Sequence, residues 1–320
     1  MTRSSRTRRQ EVIGGEEITG GADLEGVLAA VLNPMDEGLA PDLPAFSAHC
    51  HRLLAAGCHG LSVFGTTGEA NSLSVGERLA ALEALLEGGV PADVLLPGTG
   101  SCALTDTVLL SRAALEAGTP GVLVLPPFYY KGVGDEGLFR FFAEVIERIG
   151  DERLRLYLYH IPQMTGVELG LPLISRLIDA YPGTIAGTKD SSGDRERIET
   201  LCREFPGFSV LAGTETLLLE TLRNGGKGCI SATINVTSRL ARQVYDAHAS
   251  GRDDEAQALQ ERLSTLRASI EIYPMIPALK ALMADLTGDE EWRNLRPPLS
   301  GLDEEQEKEL LSGVPLTDLL

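Results

Sequence analysis

Short runs of valine, leucine and isoleucine alternate with longer segments of helical periodicity along most of this chain. Apolar runs of about four to eight residues are typical of strands buried on both faces, as in a parallel sheet. The pattern predicts eight strands, at residues 26–32, 60–64, 93–98, 121–126, 154–160, 184–189, 208–213 and 227–231. It also predicts eight helices between and after them, near residues 42–56, 75–88, 104–117, 135–149, 171–181, 192–204, 214–224 and 235–250.

Eight strand-then-helix units within about 225 residues predict an α/β fold, a closed (β/α)8 TIM barrel. A doubly wound sheet is the alternative, but it usually has fewer strands and a glycine fingerprint after the first one. Here the first strand continues into LNPMDEG without that fingerprint, and only helical periodicity continues after residue 250. The expected organisation is a mobile N-terminal tail over residues 1–21, the barrel over 22–250, and a C-terminal helical appendix packed on it over 251–320.

The chain is acidic, with 46 Asp and Glu against 28 Lys and Arg and a net charge of −18 at pH 7. Such a field repels phosphate backbones and anionic membranes, so a nucleic-acid partner is not expected. No apolar stretch is long enough to span a bilayer, which argues against an integral membrane protein. The cysteines lie far apart without a CxxC pair, and the N-terminal run lacks the apolar region of a secretory signal. Both features predict a cytoplasmic protein with reduced thiols.

Chemistry that needs a primary amine has five candidate lysines in this chain. Lys189 ends the sixth predicted strand, where burial would disfavour the ammonium form and favour the neutral amine that a nucleophile needs. The alternative is a lysine that extends out of the strand end or pairs with Asp190. The other four lie in a loop, at the opposite end of a strand, in a helix and among glutamates: Lys131, Lys227, Lys280 and Lys308.

Two further predicted strand ends carry polar groups. The period of two in the fifth strand places its leucines towards the outer helices, so that Tyr157 and Tyr159 point inwards. Tyr159 is then a candidate proton carrier, and a core tyrosine with a satisfied hydroxyl is the alternative. After the second strand, GTTGEANSLS at 65–74 offers backbone amides and two threonine hydroxyls to a small carboxylate. The alternative is an ordinary loop before a helix capped by Ser74 and Glu77.

Five short motifs follow one another at successive predicted strand ends: GTTGE at 65–69, PPFYY at 126–130, YHIPQMTG at 159–166, GTKDSSGD at 187–194 and GCISATINV at 228–236. Together they resemble the dihydrodipicolinate synthase and N-acetylneuraminate lyase family of class I, Schiff-base aldolases. The resemblance implies that Lys189 attacks the ketone of pyruvate, or of a 2-oxo acid that releases pyruvate, and forms a protonated imine. The enamine derived from it would add to, or separate from, an aldehyde.

The same resemblance implies roles for residues around the imine. Tyr159 would transfer protons and Thr66 would relay them. The Thr67 hydroxyl and the neighbouring amide would hold the pyruvate carboxylate, and the Ile230 carbonyl would face the lysine. No metal and no organic cofactor is implied.

The resemblance also concerns assembly and the distal part of the substrate. Tyr129 matches a family tyrosine that reaches into a neighbouring subunit's site, which implies a homodimer or homotetramer. The segment Gly213, Thr214 and Glu215 lies where the family's lyases recognise the part of the substrate distant from the imine.

One departure from the family pattern bears on the aldehyde. The synthase motif YN-x-P-x-R-TG carries an arginine for a carboxylated aldehyde, whereas this chain has Met164 at that place and His160 instead of asparagine. A thioether does not neutralise a carboxylate. The sequence therefore favours an aldolase for a 2-oxo-3-deoxy sugar acid or a hydroxy-2-oxo acid. The alternatives are a dihydrodipicolinate synthase, which joins pyruvate and aspartate semialdehyde, and a non-catalytic barrel that binds a 2-oxo acid.

Overall fold

The structure is a computed structural model that describes residues 24–315. The predicted N-terminal tail, residues 1–21, lies outside the described residues. Within them the strands are β1 (Gly26–Ala30), β2 (Gly60–Ser62), β3 (Val122–Val124), β4 (Leu156–His160), β5 (Ile185–Asp190), β6 (Ser209–Ala212) and β7 (Gly228–Ser231). The helices are α1 (Leu43–Ala55), α2 (Val75–Glu87), α3 (Leu104–Glu116), α4 (Asp135–Ile149), α5 (Pro162–Thr165), α6 (Leu171–Ala180), α7 (Arg195–Glu204), α8 (Leu218–Arg223), α9 (Ile234–Ala249), α10 (Asp253–Glu271), α11 (Met275–Thr287) and α12 (Glu304–Gly313).

The strands of residues 24–315 form one parallel sheet in the order β2-β1-β7-β6-β5-β4-β3. The two edge strands, β2 and β3, are joined through the extended segment 95–99. Leu96 N–H donates to the Leu61 carbonyl at 2.9 Å, and Leu123 N–H donates to the Pro97 carbonyl at 2.9 Å. The sheet therefore closes, and the predicted TIM barrel is confirmed.

The third predicted strand, residues 93–98, is wrong as a regular strand. Its start belongs to a 3-10 turn at Ala92–Val94, and the segment after the turn makes only isolated bridges to Leu61 and Leu123. Pro97 has no N–H, so it cannot donate to the β3 side of a continuous ladder. The apolar pattern placed the segment correctly in the barrel wall, but the proline prevents regular strand pairing.

Side chains on the strands alternate between the barrel interior and the outer helical layer. Leu156 and Leu158 belong to the large cluster that packs against the helices, whereas Tyr157 and Tyr159 belong to the interior cluster. Their predicted directions are confirmed. Other members of the interior cluster come from all around the barrel, and include Leu28, Leu96, Leu123, Leu211 and Ile230.

Helices α10, α11 and α12 follow the barrel units; α10 and α11 pack against α9, and α12 packs against α11 and α10. In α11 every residue from Pro277 to Ala284 is buried, as expected of a helix that is apolar all round. Ser74 and Glu77 form the predicted capping box at the start of α2, in which Ser74 N–H donates to Glu77 at 2.8 Å. Among residues 24–315, no helix has the length and apolar character needed to cross a membrane.

Candidate active site

Lys189 and Tyr159 lie side by side at the carboxyl ends of β5 and β4. The two residues are paired in the strand register, so their side chains project from the same level into the barrel. Lys189 Nζ donates to Tyr159 Oη at 3.3 Å and lies 4.3 Å from the centre of the tyrosine ring. Both side chains are buried. The contact brings a primary amine and a phenol together at the end of the barrel where TIM-barrel sites form.

The hydroxyl of Thr66 extends this pair into a row of three polar groups. Thr66 Oγ1 lies 3.3 Å from Tyr159 Oη, on a loop that follows β2. Tyr159 Oη is thus within hydrogen-bond distance of both Lys189 Nζ and Thr66 Oγ1. Hydroxyls in such a row can pass a proton from one group to the next. A small cavity lies beside them, lined in part by Asn71, Gly98 and Leu125.

The loop that carries Thr66 and Thr67 has a constrained backbone. Phe64 and Glu69, at its two ends, have φ angles of 57° and 55°, which L-residues other than glycine adopt rarely. At Gly68 a Cβ atom would lie 2.8 Å from the Val31 carbonyl oxygen, so only glycine fits. Within the described chain, the N–H groups of Thr66 and Thr67 have no protein acceptor. Together with the buried Thr67 side chain, these amides can receive a carboxylate.

The ends of β6 and β7 continue the barrel wall next to β5, on the side away from β4. Ile230 belongs to the interior cluster that also contains Tyr159. Gly213 N–H donates to the Asp190 carbonyl at 2.6 Å, and a Cβ there would overlap the Ser191 side chain at 2.0 Å. Thr214 is half-buried, with its hydroxyl 2.9 Å from that of Thr216.

Glu215 differs from Gly213 and Thr214 in its surroundings. It is fully buried, its carboxylate accepts a hydrogen bond from Arg267 Nη1 of α10 at 3.0 Å, and Ser231 Oγ also donates to it. Ser231 faces the outer layer of the barrel, because Ile230 beside it faces the interior. The Glu215 carboxylate is therefore held on the outer side of the barrel wall by an ion pair, and its predicted contact with substrate stays a prediction. The sequence did not reveal this ion pair, because Arg267 lies 52 residues from Glu215 along the chain.

Tyr129 lies apart from the lysine–tyrosine pair. Its side chain is 75% exposed and packs edge to face on Tyr130, with the ring centres 5.3 Å apart. Lys131 holds the same loop against the turn after β4, since its Nζ donates to the Thr165 carbonyl at 2.6 Å. The predicted contact of Tyr129 with a neighbouring subunit stays a prediction.

A buried ionic cluster behind Lys189 and Tyr159 was missed by the sequence reasoning. Asp190 accepts a hydrogen bond from Arg197 Nε of α7 at 2.6 Å, and its other oxygen accepts the Ser192 N–H at 3.0 Å. His160 Nε2 lies 4.0 Å from Asp190, and burial lowers the pKa of this histidine. The period of two in the strands could have predicted this cluster, because the residues that follow Tyr159 and Lys189 must face the helices. Asp190 therefore pairs with Arg197, and the alternative pairing of Lys189 with Asp190 is wrong.

A second buried pair was also missed, between Glu69 of the GTTGE motif and Lys280 of α11. Lys280 Nζ lies 2.5 Å from Glu69 Oε1, and both side chains are completely buried. A single lysine within the apolar helix MIPALKALMADLT was the available signal. Among residues 24–315, no three His, Cys, Asp or Glu side chains are grouped so that they could hold a metal ion.

The fold and the site define a class of protein: a (β/α)8 barrel with a buried lysine and tyrosine in contact at the carboxyl ends of adjacent strands. Residues 23–314 match the model of the dihydrodipicolinate synthetase family, and the chain belongs to that family. Its members are pyruvate-dependent lyases and aldolases that form a Schiff base, so this chain is a class I aldolase or lyase. Enzymes of the family use pyruvate and an aldehyde, and they are typically oligomeric.

Individual relatives support the same assignment. An uncharacterized DapA-like lyase of Chloroflexus aurantiacus is 36% identical over 89% of this chain and 94% of its own length. The crystal structure of dihydrodipicolinate synthase from Agrobacterium tumefaciens has a TM-score of 0.83 at 33% identity, with coverage of 90% and 98%. YagE from Escherichia coli K12, solved in complex with pyruvate, has a TM-score of 0.83 at 28% identity, with coverage of 91% and 97%.

Proposed function

We propose that this enzyme cleaves or forms a 2-oxo-3-deoxy sugar acid or a hydroxy-2-oxo acid through an imine between Lys189 and pyruvate. The contact between Lys189 Nζ and Tyr159 Oη carries the proposal. A buried amine needs a nearby group that gives and takes protons, because imine formation releases water and carbon–carbon cleavage transfers a proton. Tyr159 would perform both tasks.

In the cleavage direction, the Lys189 amine adds to the C2 ketone, and water leaves as the imine forms. Tyr159 gives its proton to the hydroxyl that leaves as water, so that the imine is protonated and the tyrosine is a phenolate. The phenolate then accepts the proton of the C4 hydroxyl while the C3–C4 bond breaks. The bonding electrons move to the imine nitrogen, which leaves an enamine and an aldehyde. Protonation of the enamine at C3 and hydrolysis of the imine release pyruvate and regenerate the amine. Thr66 exchanges protons with Tyr159 across the 3.3 Å contact between their oxygens.

The carboxylate of the 2-oxo acid would be held by the Thr67 hydroxyl and by the unpaired amides of the same loop, and the Ile230 carbonyl would face the lysine. A net charge of −18 gives no long-range attraction for an anion. Capture must therefore depend on short-range hydrogen bonds from N–H and O–H groups. The constrained loop backbone suits this task because its donors need little reorganisation when the carboxylate binds.

The preference for an aldehyde without a carboxylate rests on Met164. Its side chain is 63% exposed in the short helix α5 after β4, where the synthase motif carries an arginine. The distal hydroxyls of a sugar acid would instead contact the segment at Gly213 and Thr214. Glu215 would hold that segment in place through its bond to Arg267.

We also propose a homodimer or homotetramer in which Tyr129 of one subunit completes the site of another. Tyr129, Tyr130 and Val133 expose apolar surface on one loop, which suits burial against a second copy. The reduced, widely spaced cysteines support a cytoplasmic location.

Borohydride trapping tests the imine directly. Incubation with pyruvate and sodium borohydride should add one reduced pyruvate to the protein, and peptide mass spectrometry should place it on Lys189. Lys189→Arg should abolish the adduct, whereas Lys227→Arg, at the opposite end of the barrel, should retain it. An adduct that persists in Lys189→Arg, or no adduct with the unmodified enzyme, contradicts the mechanism.

Dihydrodipicolinate synthase is the second candidate, favoured by the 33% identity to the Agrobacterium enzyme over nearly the whole chain. A screen of 2-oxo-3-deoxy acids, with released pyruvate coupled to lactate dehydrogenase, should show turnover of at least one of them. Condensation of pyruvate with aspartate semialdehyde should be slow in comparison, and a faster condensation would reverse the assignment. Thermal protection by pyruvate without turnover of either kind would favour a barrel that only binds a 2-oxo acid.

A further inference from the structure

The ion pair between Glu69 and Lys280 connects the GTTGE loop with the C-terminal helices. Lys280 Nζ lies 2.5 Å from Glu69 Oε1 and also donates to the Asn294 carbonyl at 2.7 Å. Burial lowers the pKa of Lys280, while the charge and hydrogen bond of Glu69 oppose that change. Two charges in an apolar interior need good mutual geometry to offset the loss of their hydration. Each of the two buried charges is therefore stabilised by the other.

The ion pair involves the residue at which the loop backbone has an unfavourable, left-handed conformation. Glu69 has the left-handed backbone noted above, and it is two residues from Thr67. Its N–H donates to the Thr66 carbonyl at 3.1 Å, which closes a tight turn around the two threonines. A non-glycine residue in this conformation persists only where surrounding contacts hold it. The Lys280 contact is placed to do so.

A second group from the C-terminal region reinforces the same loop. Arg296 N–H donates to Glu69 Oε2 at 3.2 Å, and Arg296 Nη1 donates to the Ser72 carbonyl at 2.7 Å. The guanidinium also pairs with Glu77 at the start of α2. Asn294, which accepts the Lys280 bond, donates its own amide to the Met35 carbonyl after β1. The loop is thus held from outside the barrel on its Glu69 side.

We infer that Lys280 and Glu69 are positioning residues that hold the Thr66–Thr67 turn in the conformation that receives the 2-oxo-acid carboxylate. This inference rests on the proposed function for its ligand. Within the described chain, the side-chain bonds of Lys280 and Glu69 go to each other, to Asn294 and to Arg296, and not to Lys189 or Tyr159. Through this pair the C-terminal helices contribute to the shape of the site.

Loss of the pair should weaken carboxylate binding more than it affects the chemistry at Lys189. Lys280→Met should raise KM for the 2-oxo acid about 10- to 100-fold, because a small displacement of binding groups has an effect of this size. The yield of borohydride labelling at Lys189 at saturating pyruvate should change little. A role limited to general stability would lower the amount of active enzyme and leave KM unchanged.

Hydrogen–deuterium exchange gives a readout that needs no turnover. In the full chain, amides of residues 65–73 should exchange faster in Lys280→Met and Glu69→Gln than in the unmodified protein. Glu307→Gln is the control, because Glu307 accepts from Arg293 at 2.6 Å within the same C-terminal region and does not contact the loop. It should leave loop exchange and KM unchanged.

The double variant Glu69→Gln with Lys280→Met leaves no unpaired buried charge, and it carries the test if either single variant does not fold. A folded single or double variant with unchanged loop exchange and unchanged KM overturns the inference. If the unmodified enzyme forms no adduct with pyruvate, the proposed function fails, but faster exchange of residues 65–73 would still support the positioning of the loop.

Discussion

The candidate site has two parts that are held in different ways. Lys189 and Tyr159 project from paired positions on adjacent strands, so backbone hydrogen bonds of the sheet set their separation. Thr66 and Thr67 lie on a loop with left-handed residues at both ends, and side chains from distant helices stabilise it. The groups that we propose to react thus lie on the rigid sheet, whereas the loop that we propose to bind the carboxylate is supported by side chains of the outer layer.

Removal of the Tyr159 hydroxyl should have the largest effect on catalysis, because it changes the lysine–tyrosine pair on the strands. Tyr159→Phe should lower kcat about 10²- to 10⁴-fold through loss of proton transfer, with a much smaller change in KM. Steady-state kinetics of pyruvate release would measure both. Tyr157→Phe is the matched control on the same strand and face, where the hydroxyl accepts Leu24 N–H at 3.3 Å. Equal losses of kcat in the two variants would contradict the assignment.

Removal of Arg197 should destabilise the strand ends from behind. Arg197→Met leaves Asp190 charged and fully buried without its closest cation, and it should lower the free energy of unfolding by about 3–5 kcal/mol. Urea denaturation would measure the loss. Arg195→Met provides the comparison, because the pair of Arg195 with Glu220 is exposed and should contribute at most about 1 kcal/mol. Similar losses would show that burial of the Asp190 pair does not matter.

Acid should lower the free energy of unfolding through His49, which lies near the end of β1. Burial lowers the pKa of His49 from 6.5 to about 3, and its ring is hydrogen-bonded to Asn235 at 2.8 Å. Between those values the unfolded chain binds a proton that the folded chain does not, so stability falls as the pH falls below 6.5. From pH 7 to pH 5 this residue should remove about 2 kcal/mol from the free energy of unfolding.

Urea denaturation of the unmodified protein and of His49→Gln at both pH values would isolate this contribution. The variant lacks the titrating group, and its stability should decline less by that amount. His160, whose pKa burial also lowers, is present in both proteins and cancels in the difference. An identical decline in both would mean that His49 does not couple folding to pH.

The smallest effect is expected from Gly98, which lies against the loop. A Cβ at this position would be 2.4 Å from the Phe64 carbonyl oxygen, so Gly98→Ala must shift the start of the loop. KM for the 2-oxo acid should rise about tenfold with kcat little changed. Gly76→Ala, in α2, is the control, because its Cβ would meet nothing closer than 4.0 Å. A fall in kcat alone would show that Gly98 affects the lysine–tyrosine pair and not the Thr66–Thr67 loop.

The sequence predicted most of the scaffold because its signals are local. Every helix expected before residue 250 is present, and the inward direction of Tyr157 and Tyr159 followed from the period of two. The irregular third strand was not anticipated, since Pro97 interrupts the ladder without changing the apolar pattern. The ion pair of Glu215 was not anticipated for a related reason: its position along the chain is near the rim, but Arg267 holds its carboxylate in the outer layer.

The sequence by itself determined the order of the elements, the barrel, and the placing of Lys189 and Tyr159 at neighbouring strand ends. Those properties follow from side-chain periodicity and from strands that are consecutive in the chain. Only the tertiary structure decided which buried charges pair, as in Glu69 with Lys280 and Asp190 with Arg197. A buried charge without a partner is strongly unfavourable, and the helix that packs nearby decides which residue is the partner. The sequence pattern does not specify that packing.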